Sequence, residues 1–176
     1  GLIDLEDPDI PLQMQIKGWS PFMPGNADDS SLPVAGLEYA FSNPTDQAQE
    51  AVFSFHAENF MNQQTPGQGV RSTRNGFVLW QPGGDETPED QGAFSIVIDD
   101  PTVCVDCAWF RGGWFDSRTM VWNSISAGDT PDRSPVTDDQ PSPGGSIYVP
   151  FGLAAGESKT IIVRLAWHVP YTNLRV

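Results

Sequence analysis

Apolar and polar residues alternate along most of this chain with a period of two, which is typical of β-strands with one buried face. The clearest case is the segment 159–167, in which every odd position from Ile161 to Trp167 is apolar. A Gly-Glu turn at 156–157 precedes this segment, and Pro170 follows it. The pattern predicts a strand of a half-buried sheet and places Trp167 in the core.

Seven more segments show strand patterns and are separated by turn signals rich in Gly, Pro, Asn and Asp. The predicted strands are Leu12–Lys17, Val34–Ser42, Glu50–His56, Gly76–Gln81, Ala93–Asp99, Val103–Phe110, Ser146–Phe151 and Lys159–Trp167.

One segment, residues 116–126, has helical periodicity instead. Asp116 precedes it as an N-cap, Val121 and Ile125 share one helical face, and Gly128 is a stop signal. We therefore expect one short helix, flanked by long loops that are acidic or rich in proline. Eight strands and one helix predict an all-β fold, a two-layer antiparallel β-sandwich that forms a single domain over residues 1–176.

Charge restricts the partners of such a domain. The 176 residues carry a net charge of −14 and include only two lysines, Lys17 and Lys159. A surface of this sign repels phosphate backbones and anionic lipids, so nucleic acid and membrane surfaces are poor partners. No apolar run approaches the ~20 residues that span a bilayer, and no signal peptide is visible. Secreted, periplasmic and cytoplasmic locations all stay open.

The two cysteines, Cys104 and Cys107, belong to a CVDC sequence. A redox dithiol needs a helix N-terminus to lower the thiol pKa, whereas these flanks predict a strand or turn. Together with His56 and His168 the pair would make a Cys₂His₂ zinc set, but nothing in the spacing requires one. A local disulfide and two plain thiols are the better interpretations, and no cofactor or metal is expected.

Candidate catalytic groups are few. The acidic residues lie mostly in loops, where carboxylates stay ionised and make poor general acids. Glu38 and Glu58, on or beside strands, are the least implausible acids. Both histidines lie in predicted strands, and neither a G-x-S-x-G elbow nor a phosphate-binding loop is present.

Four segments, in order, resemble one family. The strongest is GWSPFMPGNADDSSLPVAGLEYAFSN at 18–43, which joins a W-S-P-F-x-P loop to an acidic turn and a strand. The others are EAVFSFHAENF at 50–60, RGGWFDSRTMVWNSISAGD at 111–129 and GESKTIIVRLAWHVP at 156–170. Together they resemble the N-terminal β-sandwich domain of glycoside hydrolase family 116, which includes non-lysosomal glucosylceramidases and β-glucosidase-like enzymes.

The resemblance implies a specific partner. In that family the sandwich packs on a helical (α/α) toroid that carries both catalytic carboxylates, so no catalytic residue transfers to this chain. The implied function is a non-catalytic module of a larger glycoside hydrolase, with β-glucoside glycans as associated ligands. Whether the chain is a piece of such an enzyme or a free-standing relative stays open.

The alternative to that role is an independent carbohydrate-binding module that uses surface tryptophans. Pyranose rings pack on exposed aromatic faces, although most tryptophans are largely buried. A docking face would instead expose a broad apolar patch. One candidate for such a patch is the loop 18–25, with Trp19, Phe22 and Met23. The other is the segment 109–115, with Trp109, Phe110, Trp114 and Phe115. The candidate carbohydrate or interface residues are Trp19, Phe22, Trp80, Trp109, Arg111 and Trp114.

Overall fold

The computed structural model describes residues 1–61 and 66–174. Neither α-helix among them is long and apolar enough to cross a membrane. The elements are β1 (Leu2–Leu5), β2 (Gln13–Trp19), α1 (Ala27–Ser30), β3 (Val34–Ser42), β4 (Gln49–Glu58), β5 (Gly69–Thr73), β6 (Gly76–Gln81), a 3₁₀ turn (Pro88–Asp90), β7 (Gly92–Ile98), β8 (Cys104–Asp106), α2 (Ser117–Ala127), β9 (Gly144–Leu153) and β10 (Ser158–His168).

The strands form two antiparallel sheets of unequal size. The large sheet has seven strands in the order β1-β2-β3-β10-β7-β6-β5, and the small sheet has three in the order β4-β9-β8. The inner faces pack against each other: the ring of Phe53 on β4 lies 4.8 Å from that of Tyr39 and 6.0 Å from that of Phe41, both on β3. The predicted two-layer antiparallel sandwich is therefore confirmed.

The core is built from the inward-facing positions of both sheets, because alternate side chains of a strand point to opposite faces. Central strands of the two sheets supply its most buried members, and they keep the period of two read from the sequence. These residues are Phe77, Leu79, Ile96, Ile98, Ile147, Val149, Ile161 and Val163.

All eight predicted strands are present, but the prediction for 103–110 is too long. β8 ends at Asp106, because the chain there turns onto a returning segment: the Cys107 amide donates to the Arg133 carbonyl at 2.9 Å, and the Arg133 amide donates to the Val105 carbonyl at 3.0 Å. The short edge strands β1 and β5 were not predicted, and neither was α1.

The helix prediction holds. Asp116 caps α2, where its side chain accepts from the Thr119 amide at 2.8 Å. Gly128 ends the helix in the left-handed conformation, with φ of 70°, which glycine adopts without a steric penalty.

Trp167 is not a core residue. Its phase in β10 is inward as predicted, and it lies opposite Phe94 of β7, but 41% of it is exposed. Trp167 is one residue from the end of β10, where the sheet stops. A side chain that points inward at this position is therefore only partly buried.

The two ends of the sandwich differ. Since successive strands reverse direction, the connections after β2, β4, β6 and β8 all leave from one end, which we call the long-loop end. Their described residues are 20–33, 59–61, 66–68, 82–91 and 107–143. Both sheets share this end, because the Phe60 ring lies 4.9 Å from the Phe94 ring. The connections at the opposite end are short.

Asn43 ties together two of the short connections. Its buried side-chain amide donates to the carbonyls of Gln47 at 2.7 Å and of Leu153 and Ala154 at 3.1 Å each, while its Oδ1 accepts from the Thr45 amide. One side chain thus joins the β3–β4 turn to the β9–β10 turn.

We expect Asn43→Ala to lower the free energy of unfolding by about 2–3 kcal/mol, because buried carbonyls would lose their donor. Urea unfolding measures this change. Asn123→Ala, at an exposed position on α2, is the matched control and should have little effect. A loss below about 1 kcal/mol for Asn43→Ala would contradict this role.

Candidate functional site

The large apolar side chains that remain exposed are concentrated in two places. One group, at the strand β1 and its surroundings, comprises Leu2, Ile3, Leu5, Ile10 and Val52. The other, which we call the long-loop surface, comprises Trp19, Phe22, Met23, Leu32, Phe60, Trp114, Phe115, Trp122, Trp167, Val169, Tyr171 and Leu174. Exposed apolar side chains gathered in one region indicate an interaction site more than scattered ones do.

The first part of the long-loop surface is the connection 20–33. Trp19, 41% exposed, lies opposite Gly36 on the outer face of the large sheet, and a Cβ at Gly36 would come within 2.3 Å of its indole. The loop beyond is fixed by hydrogen bonds, since the Met23 amide donates to Ser30 Oγ at 2.8 Å and Ser30 Oγ donates to the Met23 carbonyl at 3.0 Å. This ordered loop presents Phe22, which is 78% exposed.

The second part is the long crossover 107–143, which contains α2. Trp114, 92% exposed, and Phe115 stand just before the helix, and Trp122 is exposed on it. The helix is held to the small sheet by Arg118, whose Nε and Nη2 each donate to a Glu58 carboxylate oxygen at 2.7 Å. The crossover therefore presents its aromatic residues from an anchored helix.

A polar cluster fixes the base of the crossover on the outer face of the small sheet. Ser146 Oγ, fully buried, lies 2.8 Å from His56 Nδ1 and accepts from Trp109 Nε1 at 2.8 Å; His56 Nε2 lies 2.9 Å from Ser54 Oγ. Burial lowers the pKa of His56, and the negative charge of Asp106 opposes this effect. Burial therefore favours the neutral form of His56, which links β4 to β9 through Ser146.

Trp109 was predicted to be a candidate carbohydrate or interface residue, but only 4% of it is exposed. Its indole fills the space over Gly144, where a Cβ would come within 2.6 Å, and its N–H is taken by Ser146. The residue locks the crossover to β9 and has no face free for a sugar or a partner domain. Phe110, also named for the docking face, is half-buried.

Trp80 and Arg111 are occupied by neighbours. The Arg71 guanidinium lies 4.1 Å from the centre of the Trp80 ring, as a cation–π contact. Arg111 donates to both carboxylate oxygens of Asp138 and to the Gln140 carbonyl, so it closes the end of the crossover. Trp19, Phe22 and Trp114 are the aromatic candidates that the structure leaves open to solvent; Arg111 is also exposed, but Asp138 holds its guanidinium.

A Cys₂His₂ site does not assemble. His56 faces outward from the small sheet and His168 outward from the large sheet, so the sandwich separates them. Cys104 and Cys107 are free thiols, so the local disulfide is not formed in the structure. Burial first, then the charges of Asp106 and Asp132, raise the pKa of Cys107 to about 11. That thiol stays protonated at neutral pH and is a poor nucleophile.

The two least implausible acids also lie on opposite faces. Glu38 is beside Lys17 on the outer face of the large sheet, with a carboxylate oxygen 3.5 Å from Nζ, and Glu58 is paired with Arg118 on the small sheet. Glycosidases place two carboxyl groups across one bond, about 5 to 10 Å apart. The sandwich, whose sheets pack about 10 Å apart, stands between these two.

Sequence reasoning missed Trp122 and Phe60 as members of the long-loop surface. A signal existed for Trp122, because Val121 and Ile125 mark the inward face of α2 and leave position 122 off that face. Phe60 follows β4 and offers no periodicity of its own.

The comparisons identify a family for nearly the whole chain. A family model described as "beta-glucosidase 2, glycosyl-hydrolase family 116 N-term" matches residues 2–175. A search of curated proteins gave no match.

The His56 cluster predicts a pH dependence of stability. Because the folded-state pKa lies below the ordinary value of about 6.5, the unfolded chain binds the proton more readily. Stability contributed by neutral His56 is therefore present above pH 6.5 and is lost as the pH falls from there through the folded-state pKa. Urea unfolding at pH 7.5 and 5.0 should show a smaller loss in His56→Asn than in the wild type. If His168→Asn flattened the dependence instead, the assignment to His56 would be wrong.

Proposed function

The chain belongs to the family of N-terminal domains of glycoside hydrolase family 116, and from this we propose that it is a non-catalytic β-sandwich module that supports a catalytic (α/α) toroid. The toroid would carry the reaction on a β-glucoside, and the sandwich would hold it in place and shape the edge of its cleft. The observation that carries the proposal is the gathering of exposed aromatic residues at the long-loop end.

A non-catalytic role is supported by the state of the ionisable groups. The candidate acids are paired with cations on opposite faces, and His56 spends both ring nitrogens on serine hydroxyls. The buried Cys107 thiol has a raised pKa, which disfavours the thiolate nucleophile. The acids and His56 are each engaged by a neighbour in the sandwich, and Glu38 and Glu58 do not form an acid–base pair for hydrolysis.

Docking through the long-loop surface is supported by its composition and its rigidity. Interfaces between domains rely on a few aromatic anchors, and here such anchors project from loops fixed by hydrogen bonds and a bidentate ion pair. Ordered loops lose little conformational entropy on binding. Trp114 and Phe115 on the crossover and Phe22 on the loop 20–33 would be the principal anchors.

One observation favours the alternative of a carbohydrate-binding module. Trp114 is 92% exposed, and a single flat ring of this kind suits the C–H face of a pyranose. Of the other rings named for this role, Trp109 is buried and Trp80 is half-buried beneath the Arg71 guanidinium. The two functions separate in one experiment, because a sugar ligand needs Trp114 alone, whereas a docked domain also needs Phe22 on a different loop.

The isolated chain is expected to hydrolyse no aryl β-glucoside, because its candidate acids, Glu38 and Glu58, lie on opposite faces of the sandwich. Release of p-nitrophenol from p-nitrophenyl β-glucoside measures this. Turnover that survives purification and disappears in Glu38→Gln or Glu58→Gln would show that the chain is itself an enzyme.

Docking predicts that Phe22→Ser and Trp114→Ser each weaken binding to an isolated family-116 catalytic toroid at least tenfold, as the loss of an aromatic anchor does. Isothermal titration measures the affinity. Leu2→Ser, at an equally apolar exposed site on β1, is the matched control and should leave the affinity unchanged. Binding of β-linked glucose oligosaccharides that is lost in Trp114→Ser, with no toroid affinity, would favour the sugar-binding alternative.

A further inference from the structure

The unequal sheets leave part of the inner face of the large sheet uncovered. The small sheet covers β3 through its edge strand β4, as the contacts of Phe53 with Tyr39 and Phe41 show. In the large sheet, β2 and β1 lie beyond β3, whereas the described strands of the small sheet contact the large sheet at β3, β5 and β6. With strands about 4.8 Å apart, this overhang is about 10 Å wide.

The overhang is apolar where polar side chains would be expected. In the register of β1 with β2, Ile3 lies opposite Ile16 and Leu5 opposite Met14, which is the inward phase continued from Phe41 and Tyr39 on β3. Ile3 is nevertheless 57% exposed. An apolar inward face that is exposed to solvent indicates a surface that another structural element could cover.

A cleft of about 440 Å³ lies at the junction of the overhang and the small sheet. It is mainly apolar, and among the residues that the structure describes its charged members are the acidic Glu6 and Asp7. The other lining residues are Leu5, Ile10, Leu12, Met14, Phe41, Ala51, Val52 and Phe151. We call this the β4 cleft.

Beside the cleft runs a free sheet edge. Within the described parts of the chain, β4 pairs with β9 on one side and with no strand on the other, so the N–H and C=O groups on that other side point toward the space above β2. The strand spans ten residues, Gln49–Glu58, which is long for an unprotected edge. Such edges accept an added strand, with main-chain hydrogen bonds for affinity and side-chain contacts for specificity.

We propose that the β4 cleft binds an extended polypeptide segment as a fourth strand of the small sheet. Its inward side chains would be apolar and would cover Ile3, Leu5 and Ile16. Its outward side chains would be basic, since Glu6 and Asp7 border the cleft, no lysine or arginine of the described residues lines it, and the chain carries a net charge of −14. The same net charge on both partners disfavours a second copy of this chain as the occupant.

The probe is a ten-residue peptide of alternating valine and lysine, titrated into the full chain. We expect saturable binding, with protection of the amides of β4 from hydrogen exchange and none at β8, the other edge strand of the small sheet. A peptide of alternating valine and glutamate should bind at least tenfold more weakly, because its charges repel the cleft. A valine–lysine peptide with two central prolines should also lose at least tenfold, because it lacks the required N–H donors.

Variants of the chain locate the site. Ile3→Glu, at an exposed position that folding tolerates, should lower the affinity for the valine–lysine peptide at least tenfold, whereas Phe22→Glu, which adds the same charge at the long-loop end, should not. Equal affinity in Ile3→Glu, or protection outside β4, would mean that the peptide binds by charge alone and would overturn the proposal. Dimerisation of the chain that Ile3→Glu abolishes would also overturn it, in favour of a second copy.

Discussion

The structure depends on the packing of a sheet of three strands against a sheet of seven. The small sheet covers the large one from β3 toward β5, and the aromatic contacts between β3 and β4 mark one border of the covered area. Where the two inner faces meet, Phe77, Ile96 and Val149 are fully buried. Beyond that border the same alternation continues into solvent on β1 and β2, because local sequence sets the face of a strand but not what covers it.

The outer face of the small sheet is covered by the crossover, and polar chemistry makes that cover possible. Asp106 is almost completely buried and is held by Arg133, whose Nε and Nη2 donate to its carboxylate at 2.9 and 2.6 Å. A buried carboxylate without such a partner would be costly. The Asp106–Arg133 ion pair holds the end of the crossover that returns to β8. Ser146 holds its first residues through Trp109, and the Arg118–Glu58 pair holds its helix. Of these groups and their partners, Glu58 and His56 were considered for catalysis from the sequence, and in the structure each is hydrogen-bonded to a neighbour.

Sequence periodicity predicted the central strands well because those strands are buried on one face. It missed the two edge strands: β1 has only four residues and is exposed at every one, and β5 is exposed at most of its length. Asp116 and Gly128 defined the helix, since capping depends on local residues. The exposure of tryptophans could not be read in the same way. Trp109 and Trp114 are five residues apart in similar sequence, yet one fills the space over Gly144 and the other meets solvent, and only the path of the crossover decides which.

The proposed docking role depends on the placement of the long connections, because they bring aromatic residues from both sheets to one end. The most direct test is hydrogen–deuterium exchange of the chain, alone and with an isolated family-116 catalytic toroid. Docking through the long-loop surface predicts slower exchange in residues 20–33 and 107–122 when the toroid is present, with the short turns at 43–48 and 154–157 unchanged. Protection confined to those short turns, or no protection anywhere at saturating toroid, would contradict it.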